Sequence, residues 1–218
     1  MKLYYDPIST TSRAVTFFLA DQKIKIDDEV VSLFAEAHKT AEFKALNPNG
    51  QLPVLVDGDF VLTESSAILK YLADQAGSPA YPHEAQARAR INEAMDWFNT
   101  GFHMSYCVFL AYRYLLPELA SLNAVTLNEI ETLGQAKTQK YMDVLDSHII
   151  GDRAFVCGDE ISLADYLGAT HVTLGEVRNF DLSSWPNVAR WIASLKARPA
   201  WNAAYAGFNG MLSAARAA

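Results

Sequence analysis

The stretch Asn47-Pro48-Asn49-Gly50-Gln51-Leu52-Pro53-Val54-Leu55, followed by Leu62-Thr63-Glu64-Ser65-Ser66-Ala67-Ile68, decides the fold. Its first half ends a loop on a proline where an apolar strand begins, which removes one backbone donor and leaves a nearby strand edge unfilled. A cis Leu52-Pro53 bond would turn the Leu52 N–H and C=O outward to a guest peptide. Cis bonds occupy only about 5% of X-Pro positions, so the residues alone leave the isomer open beside an ordinary trans loop proline. The second half opens a helix with free N–H groups and a positive dipole end, suited to a carboxylate. Ser65 can donate to that carboxylate and Glu64 can take an ammonium group, a pair suited to a zwitterionic end. The same residues also read as plain capping, with Thr63 as N-cap and an acid in the first turn.

Outward from this stretch the chain alternates strand and helix up to Gly77. Residues 3–5 read as a strand. Residues 10–21 read as a helix with Ala14, Val15, Phe17, Phe18 and Leu19 on its core face. A second strand over 26–32 and a helical turn over 40–46 follow. Residues 54–56 and 60–62 form a hairpin across Asp57-Gly58-Asp59, and a helix over 65–75 stops at Gly77. The order βαβ then ββα predicts an α/β, thioredoxin-like N-terminal domain over 1–77. Residues 78–84 are the linker. Residues 85–218 predict an all-α domain, with one long helix over 84–116 checked at Pro117 and another over 126–150 ending at Gly151. A third opens at Ser162-x-x-Asp165, a capping-box start with Ile161 as staple. A fourth starts at Trp185-Pro186, and Pro199 separates it from a last helix to about 216.

The 218 residues are half apolar and 20% charged, enough for one large or two modest domains with a real core. No apolar run reaches the length of a membrane span and no signal peptide is visible, which predicts a soluble, cytoplasmic protein. The net charge of −7, with no Lys/Arg cluster, argues against a nucleic-acid or membrane partner. Any anion site must therefore be local. The two cysteines, Cys107 and Cys157, form no CxxC pair, and the five histidines show no HxxxH spacing. The expectation is neither metal nor redox dithiol.

The combination of Leu3-Tyr4-Tyr5-Asp6-Pro7-Ile8-Ser9 with Ser12-Arg13-Ala14-Val15, the 47–53 loop, Glu64-Ser65 and Ser162-Leu163-Ala164-Asp165 resembles the cytosolic glutathione transferase superfamily over nearly the full length. Gln86-Ala87-Arg88-Ala89-Arg90 and His38-Lys39 look most like the serine-type theta and delta classes. The resemblance implies a glutathione S-transferase fold and a homodimer. It implies that Leu52, before a cis Pro53, pairs by backbone with the cysteinyl part of glutathione. Glu64 and Ser65 would hold the γ-glutamyl end, and His38, Lys39 and Gln51 the glycyl carboxylate. Lys39 reads equally as a solvated surface lysine, and Gln51 as a loop residue.

A free thiol has a pKa near 8.5 and is only a few per cent thiolate at pH 7. Lowering that value by about two units takes about 2.7 kcal/mol, which one hydrogen bond to the anion, about 1.5–3 kcal/mol, supplies. One hydroxyl at the start of the first helix suffices, and Ser9 is the residue at the family's serine position. Ser9-Thr10-Thr11-Ser12 must also supply an N-cap, so Thr10 and Ser12 stay open if Ser9 is that cap. Tyr5 stays open as a first-strand donor. The electrophile is expected on the helical domain at Phe102, Tyr106 and Phe109, with Arg113 continuing their face and His103 beside it. The same face also reads as core or subunit interface. Phe208 or Met211 is a candidate to close the pocket.

Three functions remain open on this reading. The first is a transferase that adds the glutathione thiolate to small apolar electrophiles. The second is a non-catalytic carrier of glutathione or hydrophobic ligands, or a regulatory partner of the same fold. The third is a glutathione-dependent isomerase or dehalogenase.

Overall fold

The structure, a computed structural model, describes residues 1–116, 119 and 121–217. Pro117, where the sequence ends the long helix, lies outside them. Two units are present, Met1–Pro82 with Ala197–Ala218, and His83–Lys196.

The first unit is built on a four-stranded sheet of order β2-β1-β3-β4. Strand β1 is Lys2–Tyr5, β2 Asp27–Val30, β3 Val54–Asp57 and β4 Phe60–Leu62. β1 runs parallel to β2 and antiparallel to β3, and β3–β4 is a hairpin with Asp57 opposite Phe60 across the Gly58 turn. β2 is shorter than the sequence suggests, and all four of its residues are exposed, as an edge strand's are. Helix α1 is Thr10–Asp21, and its predicted core residues Ala14, Val15, Phe17, Phe18 and Leu19 are all buried. Helix α2, Ala41–Leu46, is capped by the Thr40 hydroxyl and follows a 3-10 turn, Ala37–Lys39. Phe43 from α2 packs with Val31, Leu52 and Val54, which fixes the 47–53 loop against the sheet. Helix α3 is Ser65–Ala76 and ends at a left-handed Gly77. This is the thioredoxin-like arrangement the sequence predicts.

The last helix differs from the expected division. It runs Pro199–Ala217 and is contained in the first unit by its contacts. The reason is an aromatic face: Trp201, Tyr205 and Phe208 are buried, with Phe17 of α1 edge-on to Trp201 and Tyr205. Arg198 adds three hydrogen bonds to Asp21 at the end of α1, at 2.9, 3.0 and 2.7 Å.

The second unit is helical, as predicted. Helix α4, Ala85–Trp97, is capped by the Glu84 carboxylate. It continues as a π-helix, Phe98–Ala111, and a 3-10 turn, Tyr112–Tyr114. Helix α5, Ala124–Val144, is capped by Asn123 and continues as Leu145–Ile150 to Gly151. Helices α6, Leu163–Thr173, and α7, Pro186–Lys196, follow in this unit, and the last helix, Pro199–Ala217, is α8. Asp165 closes the start of α6: its Oδ2 accepts from Ser162 N and Oγ, both at 2.8 Å, and its Oδ1 from Val156 N at 2.8 Å and Trp191 Nε1 at 2.9 Å. Burial pushes this carboxyl above its ordinary value, and the four bonds oppose that rise. Among the described residues no helix is long and apolar enough to cross a membrane.

Candidate functional site

The loop into α1 is held by a buried carboxylate. Asp6 accepts from Ile8 N at 2.8 Å and from Leu33 N at 2.7 Å, and Ser9 N donates to the Asp6 carbonyl at 3.1 Å. Ser9 is the N-cap of α1, its Oγ accepting from Ser12 N at 3.3 Å. Of the four consecutive hydroxyl residues, Thr10 and Ser12 are buried while Ser9 and Thr11 are half-buried. Ser12 Oγ accepts from Asp6 N at 3.4 Å. Tyr5 turns its hydroxyl to the Asp28 carboxylate, and burial first, then that bond, raise its pKa.

Thr11 is a residue the sequence reading passed over. Its Oγ1 donates to the Leu52 carbonyl at 2.9 Å and lies 3.2 Å from Ser9 Oγ. A hydroxyl has one proton. With Thr11's committed to Leu52, Ser9 is the donor in the Ser9–Thr11 contact. That proton can turn to a better acceptor, because capping uses only a Ser9 lone pair.

The Leu52-Pro53 bond is cis. Behind it, Asn47 Nδ2 donates to the Gln51 carbonyl at 2.8 Å, and Asn47 Oδ1 accepts from Asn49 N at 3.1 Å. Gly50 has φ +60°, and a Cβ there would meet the His38 carbonyl at 3.0 Å, so the 47–51 loop lies on the His38 turn. His38 Nδ1 is buried with no hydrogen-bond partner among the described residues. Lys39 is exposed and pairs with Glu36 at 2.7 Å. Gln51 is exposed and Leu52 and Pro53 are buried.

The opening of α3 corrects the capping reading. The N-cap is Glu64, not Thr63, at φ 67° and ψ 113°, and its side chain makes no capping bond. Glu64 therefore holds a left-handed backbone angle, a conformation that costs about 1–3 kcal/mol and clusters at ligand sites. Ser65 opens the helix and is buried. Direct contacts thus join Ser9 and Thr11 to the Leu52 carbonyl, and Gly50 of the same loop lies on the His38 backbone; Glu64 and Ser65 follow the β3–β4 hairpin in the chain.

The predicted electrophile face is not assembled as expected. Phe102 and Tyr106 are fully buried in the helical unit. Phe102 packs on Trp97, Phe98 and Tyr106, and Tyr106 Oη donates to the Val172 carbonyl at 3.0 Å. Phe109 lies against Gly134 of α5, and Arg113 pairs with Glu131. Phe102 and Tyr106 are thus interior packing, while Phe109 and Arg113 are half-buried against α5. His103 is half-buried on an adjacent face, with its Nε2 3.4 Å from Tyr112 Oη, and burial lowers its pKa. Phe208 does not close a pocket either: it is fully buried, its ring centroid 3.6 Å from the Arg13 guanidinium carbon. Met211 is half-buried. α8 abuts the Ser9 loop at Gly207, where a Cβ would meet Pro7 at 2.7 Å.

Both cysteines belong to the helical unit. Cys157 lines a groove of the helical unit with Arg90, Trp97, His148 and Arg153, and burial pushes its thiol up to about 11. Cys107 is buried, and its sulfur, His103 and His171 lie together, with one ligand atom of each within 4.8 Å of the others. The search for HxxxH and CxxC missed this group. The signal in the chain was His103-x-x-x-Cys107, one helical turn apart.

Comparison with known proteins agrees with the fold. The family model described as "Glutathione S-transferase, N-terminal domain" matches residues 1–74, and "Glutathione S-transferase, C-terminal domain" matches residues 132–199. Human glutathione S-transferase theta-2 is 32% identical over 200 residues, covering 90% of this chain and 81% of that protein. A dichloromethane dehalogenase of Methylorubrum extorquens is 27% identical over 91% of this chain and 72% of its own length. Among solved structures, human glutathione transferase theta-2 in complex with glutathione and an unknown ligand superposes with a TM-score of 0.87 at 28% identity, covering 99% of this chain and 90% of that one.

Proposed function

The chain belongs to the glutathione S-transferase family, and from that premise we propose how its residues conjugate glutathione. Leu52 pairs by its backbone with the cysteinyl unit, which the cis Pro53 and the Thr11 hydrogen bond hold in place. Glu64 and Ser65 receive the γ-glutamyl ammonium and carboxylate. Gln51, the uncommitted His38 ring nitrogen and Lys39, turning from Glu36, receive the glycyl carboxylate. Ser9 donates its hydroxyl proton as a hydrogen bond to the thiolate. No base is needed, because the thiol proton leaves to solvent once the anion is the better-bound form. The thiolate then attacks an electrophile held beside it, and the rate gain comes from ionisation and proximity.

The observation that supports this most is the chain of contacts from Ser9 Oγ to Thr11 Oγ1 to the Leu52 carbonyl, at 3.2 and 2.9 Å. It ties the thiol-activating hydroxyl to the backbone that places the thiol. The test is a pH titration of bound glutathione by thiolate ultraviolet absorbance. The expected result is a thiol pKa about two units below 8.5. Tight binding with no displacement from 8.5 would make the protein a carrier.

The electrophiles proposed are small and apolar. The relationship to a dichloromethane dehalogenase supports a second class, small haloalkanes, attacked by the same thiolate. The protein is proposed to work in the cytoplasm as a homodimer, paired across α3 and α4. A monomer in sedimentation at micromolar concentration removes the dimer.

A further inference from the structure

The helical unit carries a second group of chemistry-bearing side chains that glutathione chemistry does not use. His103 and Cys107 lie one turn apart on the Phe98–Ala111 helix, and His171 comes from α6. Two glycines bring these elements close. A Cβ on Gly168 would meet the Phe98 ring at 2.5 Å, and one on Gly175 would meet Tyr106 Oη at 1.8 Å. The Tyr106 hydroxyl, donating to the Val172 carbonyl at 3.0 Å, ties the same two elements together. The cluster is therefore set in a rigid frame.

We infer that His103, Cys107 and His171 form a zinc-binding site with three protein ligands. The donor set is the first reason. One thiolate and two imidazoles suit zinc and disfavour magnesium and calcium, which take oxygen ligands. Spacing is the second. Bond lengths of about 2.0–2.3 Å put the ligand atoms of a tetrahedral ion about 3.4–3.8 Å apart. The ligand atoms here lie within 4.8 Å of one another, and the half-buried His103 ring can close the difference by a small rotation. The orientation of His171 is the third. Its Nδ1 lies 2.9 Å from the Leu167 carbonyl. That carbonyl only accepts, so Nδ1 carries the proton and Nε2 keeps its lone pair. Ligating histidines are commonly oriented in this way, the other ring nitrogen donating to a carbonyl. Cys107 binds as thiolate, its proton passing to solvent, and water takes the fourth position, as in three-ligand zinc sites.

The experiment uses the full chain, stripped of metal and titrated with Co²⁺ as a spectroscopic stand-in for zinc. The expected result is a thiolate-to-cobalt charge-transfer band that saturates at one cobalt per chain and is abolished by added zinc. Cys157→Ser keeps the band and Cys107→Ser loses it. Cys107 is buried, so His103→Gln, at a half-buried position, carries the test if Cys107→Ser fails to fold. It should weaken zinc binding by at least about tenfold, whereas His83→Gln, at an exposed histidine, should leave it unchanged. A folded wild-type chain without the band at one equivalent overturns the site. So does His103→Gln binding zinc as tightly as wild type.

Discussion

Ser9→Ala retains glutathione binding but returns the bound thiol toward its free pKa, so its activity loss depends on pH. With the wild-type thiol near 6.5, half is ionised at pH 6.5, against about 1% for a thiol at 8.5, a loss of about fiftyfold. At pH 8.5 the gap shrinks to about twofold, because the wild-type thiol is nearly fully ionised and the variant's about half ionised. Binding is expected to survive because the residues proposed to hold glutathione, the Leu52 backbone, Glu64 and Ser65, lie outside the altered side chain. The measurement is kcat/KM against pH, paired with thiolate absorbance of the bound complex. A loss that stays constant across pH 6–9 would place the effect in the structure of the loop instead of in ionisation.

Ser9 is also the cap of α1, and the two roles separate cleanly. Losing the cap to alanine costs about 1 kcal/mol of stability, whereas glycine costs only a few tenths. Neither carries a donor. Ser9→Gly should therefore match Ser9→Ala in its pH profile while remaining closer to wild type in Tm. Tyr5→Phe should leave the profile in place, because the Tyr5 hydroxyl is turned to Asp28.

What the chain disclosed in advance follows from the range of the forces involved. The core face of α1 was legible because helical period and apolar residues coincide over a single element, and Phe17 and Phe18 are buried as read. The Asp165 closure was legible because a capping box spans four residues. The cis bond before Pro53 was open on the residues, since the dipeptide itself allows both isomers. Phe102 and Tyr106 show where local reasoning stops. Their spacing reveals a shared face, but whether that face meets solvent or α6 depends on Gly168, which lets α6 approach. The packing of the last helix was not legible for a similar reason, because its aromatic partner Phe17 is far away in the chain. His171 and the His103–Cys107 pair were missed because tertiary packing alone brings them together.

Asp165→Ala is expected to cost about 4 kcal/mol or more, a large share of the roughly 5–15 kcal/mol that holds a domain of ordinary stability folded. The carboxylate has no solvent exposure and receives four donors: two backbone N–H groups, the Trp191 indole and the Ser162 hydroxyl. Alanine strands those donors in the interior, each worth about 1–3 kcal/mol if left unpaired, though not additively. Asp165→Asn is milder, about 2–4 kcal/mol. Its NH₂ group can sit only at the Oδ2 position, where the Ser162 hydroxyl can rotate to accept it. The Ser162 N–H then loses its acceptor. The pH dependence separates charge from hydrogen bonding. Burial raises the Asp165 carboxyl in the folded state, so the protonated form favours folding. That contribution is complete below the unfolded value of about 3.9 and is lost as pH rises through the raised folded value. Asparagine has no such component, so the stability gap between wild type and Asp165→Asn should narrow as pH rises through that window. Urea unfolding at several pH values measures it. A gap that widens instead would show that the four hydrogen bonds outweigh burial and hold the carboxylate ionised.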